Sequence, residues 1–227
     1  MSKKPLSTKY FKLSIELESQ FSNILRDNHV HFRGNLNSLS LISVSDKKPE
    51  LGVACTEHLE WTEEIIWIYI NKIKAKSIPQ RPTPEKSLQA WIIRKSLENN
   101  HLLPFDESIR FITSELAITD ETRGKVVSDI IGFDLKANRI VILELKSKRQ
   151  LSRLIQQVEN FESIINKNKS FFDELLCLHG LQVKEGPLKA VIWPRPIKFS
   201  LSNLTERNIT EYCYLEGNDD FKITKVN

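Results

Sequence analysis

The stretch Lys125-Val-Val-Ser-Asp-Ile-Ile-Gly-Phe133, the connection Asp134-Leu-Lys-Ala-Asn138 and the stretch Arg139-Ile-Val-Ile-Leu-Glu-Leu-Lys146 decide how this chain is read. Both flanks are rich in β-branched residues, and the Asp and Asn of the connection suit a turn, so the segment predicts an antiparallel hairpin. Pairing Phe133 with Ile140 sets Asp129 directly opposite Glu144. Side chains alternate along a strand, so Lys146 reaches the same face two residues further on. Two facing carboxylates repel, and placing them among Ile130, Ile131, Ile142 and Leu143 is costly without a cation. A divalent metal supplies that cation. Hard oxygen donors, few of them from the protein, suit Mg²⁺, which keeps several waters, polarises a phosphate oxygen and acidifies a bound water.

Working outward, Thr83 is placed to cap a helix with Pro84 at its first position, and Leu88, Trp91, Ile92 and Leu97 give that helix one apolar face up to about Asn99. A strand is expected over Ile109 to Leu116. After the hairpin, Ser147-Lys-Arg-Gln150 has a capping-box pattern, and Leu151, Leu154, Ile155, Val158, Phe161 and Ile165 form the stripe of the next helix. Ser170 opens a short helix that stops at Gly180, and Leu188 to Trp193, Ile209 to Leu215 and Phe221 to Val226 read as strands. The fold class is therefore α/β, with core order α-β-β-β-α-(α)-β. Upstream, Ser77-Ile-Pro-Gln-Arg-Pro-Thr-Pro84 favours an extended connection. It divides the chain into a smaller α+β region, residues 1–78, and a main domain, residues 83–227. In the smaller region Leu13, Leu17, Phe21, Ile24 and Leu25 repeat at helical spacing, while Leu39 to Val44 and Ile65 to Ile70 read as strands.

The string Ser128-Asp-Ile-Ile-Gly132, followed after a fixed interval by Glu144-Leu-Lys146, resembles the D…E-x-K signature of the PD-(D/E)XK, or restriction-endonuclease-like, nuclease superfamily. The expected element order matches that superfamily's mixed-sheet core, and Ser128 stands where the name has proline. Gln157-Val-Glu-Asn-Phe161 resembles the Q-x-x-x-Y motif of RecB-like members, with Phe for Tyr, and the stretch from Glu85 onward is most similar to the NucS-type branch. The resemblance implies a metal-dependent endonuclease that hydrolyses DNA to 5′-phosphate and 3′-hydroxyl ends. Asp129, Glu144 and the backbone carbonyl of Leu145 would hold Mg²⁺, for which Mn²⁺ can substitute, and Lys146 would orient the attacking water or stabilise transition-state charge. Glu85 and Gln157 would support the site. Region 1–78, covered by no motif, is expected to serve dimerisation or DNA positioning, as such appendages do in similar nucleases.

The chain has 227 residues, 40% of them apolar and 27% charged, which excludes general disorder. No run approaches the roughly 20 apolar residues of a membrane span, and the start Met1-Ser-Lys-Lys-Pro5 lacks a following apolar segment, so a cytoplasmic, non-membrane protein is expected. Cys55, Cys177 and Cys213 are too scattered for a disulfide framework and read as reduced core thiols. Nucleotide-binding and serine-hydrolase loops are lacking, so no nucleotide cofactor is expected. The net charge of +4 is mild. Its distribution is more telling, because Lys72, Lys74, Lys76, Arg81 and Lys86 form one basic stretch and Lys146, Lys148, Arg149 and Arg153 another. Both are candidate contacts to the phosphates of a DNA partner. Two rival readings keep the same fold: a nucleic-acid-binding or scaffold module without turnover, and a nuclease acting on RNA. Glu115, on the first core strand, is a weaker ligand candidate.

Overall fold

Periodicity and end signals account for most elements of the computed structural model, which describes residues 5–77, 82–148, 151–195, 204–217 and 220–226. The chain opens with α1 (Lys9–Gln20) and α2 (Ser22–Asp27), two helices where the spacing from Leu13 to Leu25 suggested one, because Phe21 leaves helical geometry between them. An antiparallel sheet of β1 (Val30–Gly34), β2 (Leu39–Ser43) and β3 (Gly52–Cys55) follows in that order. Then comes α3 (Glu63–Ala75), a helix in place of the strand expected over Ile65 to Ile70. The continuous apolar run hides a helical face: Ile66, Tyr69, Ile70 and Ile73 are buried, whereas Trp67 and Ile68 are exposed. Glu63 and Glu64 in the first turn and Lys72 and Lys74 in the last complement the helix dipole. The buried face joins Leu17, Leu25, Phe32 and Leu41 in a core made wholly of residues from this region.

The main body begins with α4 (Pro84–Glu98), where Thr83 Oγ1 accepts the Lys86 N–H at 3.4 Å and Pro84 stands in the first turn, as the sequence predicts. It continues through β4 (Leu102–Leu103), β5 (Asp106–Asp120), β6 (Gly124–Asp134), β7 (Arg139–Leu145), α5 (Leu151–Lys167), α6 (Lys169–Cys177), β8 (Leu188–Pro194), β9 (Ile209–Glu216) and β10 (Phe221–Lys225). The seven strands form one sheet in the order β10-β9-β8-β7-β6-β5-β4. β4 to β7 pair antiparallel, β7-β8-β9 parallel and β9-β10 antiparallel, so the sheet is mixed and the chain is α/β. The β6-β7 hairpin has the expected register, with Phe133 opposite Ile140. Asp134 Oδ1 accepts the Lys136 and Ala137 N–H groups, each at 2.8 Å, and Asn138 adopts the left-handed conformation that closes the turn.

Alternation along the strands gives the sheet two apolar faces. Leu116, Ile131, Ile142 and Val191 pack under α5 and α6, while Ile130, Leu143, Leu145 and Ile192 pack under α4. Phe11 of α1 belongs to the first cluster and Val44, just past β2, to the second, so the N-terminal region is tied into both.

Three expectations need correction or limits. The capping box read from Ser147 to Gln150 runs through residues outside the described ones; what the structure gives for Ser147 is that its amide and hydroxyl both donate to Glu85. Only Cys213 of the three cysteines is a core residue, Cys55 being half-buried and Cys177 exposed. Arg81, Arg149 and Gln150 lie outside the described residues. No helix among the described residues is long and apolar enough to cross a membrane.

Gly34 marks where β1 meets α1: a Cβ there would collide with the Tyr10 carbonyl and stand 2.7 Å from Phe11 Cα. Backbone cannot move aside as a flexible side chain can. Gly34→Ala is expected to cost about 1–3 kcal/mol, read as a lower urea midpoint with unchanged slope. An unaltered midpoint would show that this approach is not a tight constraint.

Candidate active site

The last laddered pair of the hairpin toward its open end is Ile130 with Leu143, and Asp129 and Glu144 stand one step beyond it. Here the ladder gives way to side-chain bonding, since the Leu145 N–H donates to Asp129 Oδ2 at 2.7 Å. Lys146 Nζ lies 3.4 Å from Glu144 Oε2 and 3.8 Å from Asp129 Oδ2. The three side chains that strand alternation assigns to one face are therefore brought together, on the face of Ile131 and Ile142 beneath α5. They differ in depth. The Glu144 side chain is 1% exposed, against 24% for Asp129 and 18% for Lys146, so the cluster opens to solvent on the Asp129 and Lys146 side.

Burial, and then the charge of Asp129, push the Glu144 carboxyl well above the usual range, with Lys146 opposing. Burial also raises Asp129, against the pull of Lys146 and of the Leu145 amide. One ammonium serves two carboxyl groups. Glu144 Oε1 is buried and accepts no hydrogen bond among the described residues. A buried carboxylate oxygen without a partner is costly, and beside a second carboxylate it has the chemistry of a hard-cation ligand. The residues present therefore fit a divalent metal. Among the described residues no cluster of three or more His, Cys, Asp or Glu side chains is arranged to hold one. Asp129 and Glu144 would be completed by main-chain oxygen, such as that of Leu145, and by water, which is the coordination Mg²⁺ tolerates.

Neither protein-family models nor curated proteins match this chain.

Around the cluster, α4 supplies two supports one helical turn apart. Glu85 Oε1 accepts the Ser147 N–H at 2.7 Å and its hydroxyl at 3.1 Å, holding the main chain just past Lys146. Glu85 thus positions the loop and has no bond to Asp129 or Glu144. Gln89, which the sequence reading did not single out, is buried and donates through Nε2 to the Asp129 carbonyl at 2.8 Å. Its signal was available: an amide on an otherwise apolar helix face, four residues after Glu85. Gln157 sits on α5, over the face that carries the cluster, with a buried Oε1 that has no partner among the described residues. No hydrogen bond joins it to Asp129, Glu144 or Lys146.

Glu115 shapes the opposite wall. β5 pairs Ser114 with Ile130 and Leu116 with Ser128, skipping the pair that would set Glu115 against Asp129, and Glu115 adopts φ +51°. Positive φ in a strand is strained for a residue with a side chain. The charge of Glu115 raises both Asp129 and Glu50, which links the cluster to the N-terminal region. There Arg33 Nη1 bonds the buried Glu50 at 2.6 Å and reaches Ser114 Oγ at 3.4 Å.

The basic stretches are used unequally. Lys74 and Lys76 donate to Asn28 Oδ1 and the Gly52 carbonyl, and Lys72 lies over the Tyr69 ring, so these ammonium groups bind within the N-terminal region. Lys148 and Arg153 are exposed beside the cluster in sequence.

A buried carboxyl with a raised pKa holds its proton in the folded chain to higher pH than in the unfolded chain. Without divalent cation it therefore favours the folded state at low pH, and that contribution is lost as pH rises from the unfolded value, about 4.5, through the raised one. Glu144→Gln should remove this loss, so urea melts in EDTA should show the variant gaining on wild type as pH rises above the unfolded value. Mg²⁺ should stabilise wild type alone. Parallel pH profiles, or equal Mg²⁺ responses, would refute the assignment of Glu144 as a buried ligand.

Proposed function

We propose that this chain is a metal-dependent nuclease of the PD-(D/E)XK type, acting on the phosphodiester bonds of DNA. The observation that carries the reading is the Asp129, Glu144 and Lys146 cluster with its orphaned Glu144 oxygen. Support comes also from the succession α4-β5-β6-β7-α5-β8 around one mixed sheet, with the acids on the two central antiparallel strands, as that superfamily's core would have them.

A bound Mg²⁺ or Mn²⁺ would supply Lewis-acid polarisation of the phosphate and a water more acidic than bulk. Asp129 and Glu144 would hold it, one near solvent and one anchored in the sheet. Gln89 and Glu85 keep the two sides of the cluster in place, from the Asp129 carbonyl and the Ser147 amide. Lys146 stands where its ammonium can orient the attacking oxygen or stabilise charge on the phosphate as it gains a fifth oxygen. Attack on phosphorus with departure of the 3′ oxygen, which takes up a proton, leaves 5′-phosphate and 3′-hydroxyl ends.

Lys146→Ala is expected to lower single-turnover cleavage on the order of 10²-fold or more with little change in DNA affinity. Asp129→Ala and Glu144→Ala should abolish cleavage while remaining folded. The test is a panel of duplex, single-stranded, branched and mismatched DNA, with RNA counterparts, in Mg²⁺ and Mn²⁺. Cleavage confined to RNA would move the substrate class. Binding without cleavage of any member would replace the enzyme by a nucleic-acid-binding module.

Exposed Lys148 and Arg153 would follow the phosphate backbone. Replacing both with Ala should flatten the slope of log K against log salt by roughly 1–2 without altering substrate preference. Superimposable isotherms across salt would place the nucleic acid elsewhere.

A further inference from the structure

A cavity of about 570 Å³ lies at the outer edge of the large sheet, between α1, α2 and β1 on one side and α4, β5 and the end of α6 on the other. It is separate from the carboxylate cluster. Arg110, at its wall, precedes Glu115 on β5 by five residues, on the order of 16 Å along a strand. The volume is that of a small-molecule pocket, and Leu25, Val30, Val44, Leu97 and Phe111 supply an apolar lining.

The polar end of the cavity is unbalanced. Arg110 and His101 are neighbours across the β4-β5 turn, where the Phe111 N–H bonds the His101 carbonyl at 2.7 Å, and His179 arrives from the end of α6. Arg110 has no hydrogen bond or ion pair among the described residues, and its Nε is buried. The other arginines of the lining are engaged, Arg94 with Asp46 at 2.8 Å and Arg26 with Asp27 at 3.6 Å. Burial and the Arg110 charge hold the His101 and His179 imidazoles below their ordinary range, His179 at about 4. The acids that face the cavity do not offset this. Glu18, pushed up to about 8 by burial, has its carboxylate engaged by the Phe32 N–H, and Glu98 pairs with Lys95. His31, at about 3, stays neutral beneath the floor, and His29 lines the α2 side.

We propose that this cavity binds a small phosphate monoester, its phosphoryl group held by Arg110, His101 and His179 and its organic part against the apolar lining. A guanidinium alone satisfies a carboxylate through paired hydrogen bonds; two further imidazoles lining the same cavity, both within the electrostatic reach of Arg110, suit a tetrahedral dianion. An arriving anion supplies the charge that the three groups lack. It would raise both imidazole pKa values, so the protein takes up protons on binding, and an anion whose own charge is fixed binds more tightly as pH falls.

The test uses calorimetry on the full chain with phenyl phosphate, inorganic phosphate and inorganic sulfate. Sulfate keeps its charge over pH 5–8, so its pH dependence reports the protein. Phenyl phosphate should bind more tightly than inorganic phosphate, and sulfate more tightly at pH 5 than at pH 8, with proton uptake seen as a dependence on buffer ionisation enthalpy. R110Q should weaken all three about tenfold or more. H179Q should keep binding at pH 8 and lose most of the gain at pH 5, with circular dichroism showing both variants folded. The proposal is overturned if none of the three anions binds at about 10 mM, if folded R110Q binds as wild type, or, should R110Q not fold, if folded H179Q keeps the full pH dependence. Cleavage activity enters none of these readouts, so failure of the nuclease reading would leave this one standing.

Discussion

Glu144 sits at the end of the central strand with its side chain 1% exposed, and much of the surrounding architecture answers the cost of that burial. A carboxyl in an apolar sheet must be protonated, paired or bound to a cation. Asp129 makes the first option more favourable and the last more useful, since its charge raises Glu144 while adding a second oxygen donor. Lys146 limits the penalty but cannot satisfy both acids. The β6-β7 register is what makes this unavoidable, because no slip of one residue could separate the two acids without turning Ile131 and Ile142 out of the core.

The same interaction explains why α4 is placed as it is. The sheet ladder ends at Ile130 and Leu143, leaving main-chain groups at the mouth of the hairpin that need partners. Asp129 takes the Leu145 amide, Glu85 the Ser147 amide and Gln89 the Asp129 carbonyl. One helix face, read at positions 85 and 89, thus replaces the missing ladder and keeps the strand ends rigid. On the proposed reading that rigidity would matter, because two carboxylates brought together by flexible backbone would swing apart rather than hold a cation.

The hairpin, the proline-started helix and the order of the core were legible because each carries a local signal: alternation, a turn pair, a cap. The Asp129, Glu144 and Lys146 juxtaposition followed from strand parity alone. What was not legible depended on long-range contact. Ile65 to Ile70 is apolar at every position, so neither period shows within it, and its two exposed members reveal the helix only once the β1-β2-β3 sheet is in place. Gln89 shows in the sequence only as an amide on an apolar helix face; its partner, the Asp129 carbonyl, appears only once α4 is packed on the sheet. The positive φ of Glu115 has no sequence signature, since glutamate is not a residue that favours that conformation.

The N-terminal region also has to be understood through the sheet edge. β4 is two residues long and covers little of β5, so most of that fifteen-residue strand would present unpaired backbone to solvent. β1 packs there instead, with Arg33 reaching Ser114 and Glu50 carrying its charge toward Glu115. An edge covered by packed side chains rather than by another ladder leaves space along the seam, and the cavity around Arg110 is that space. The seam therefore leaves an arginine unpaired among the described residues and two histidines facing a volume large enough for a ligand.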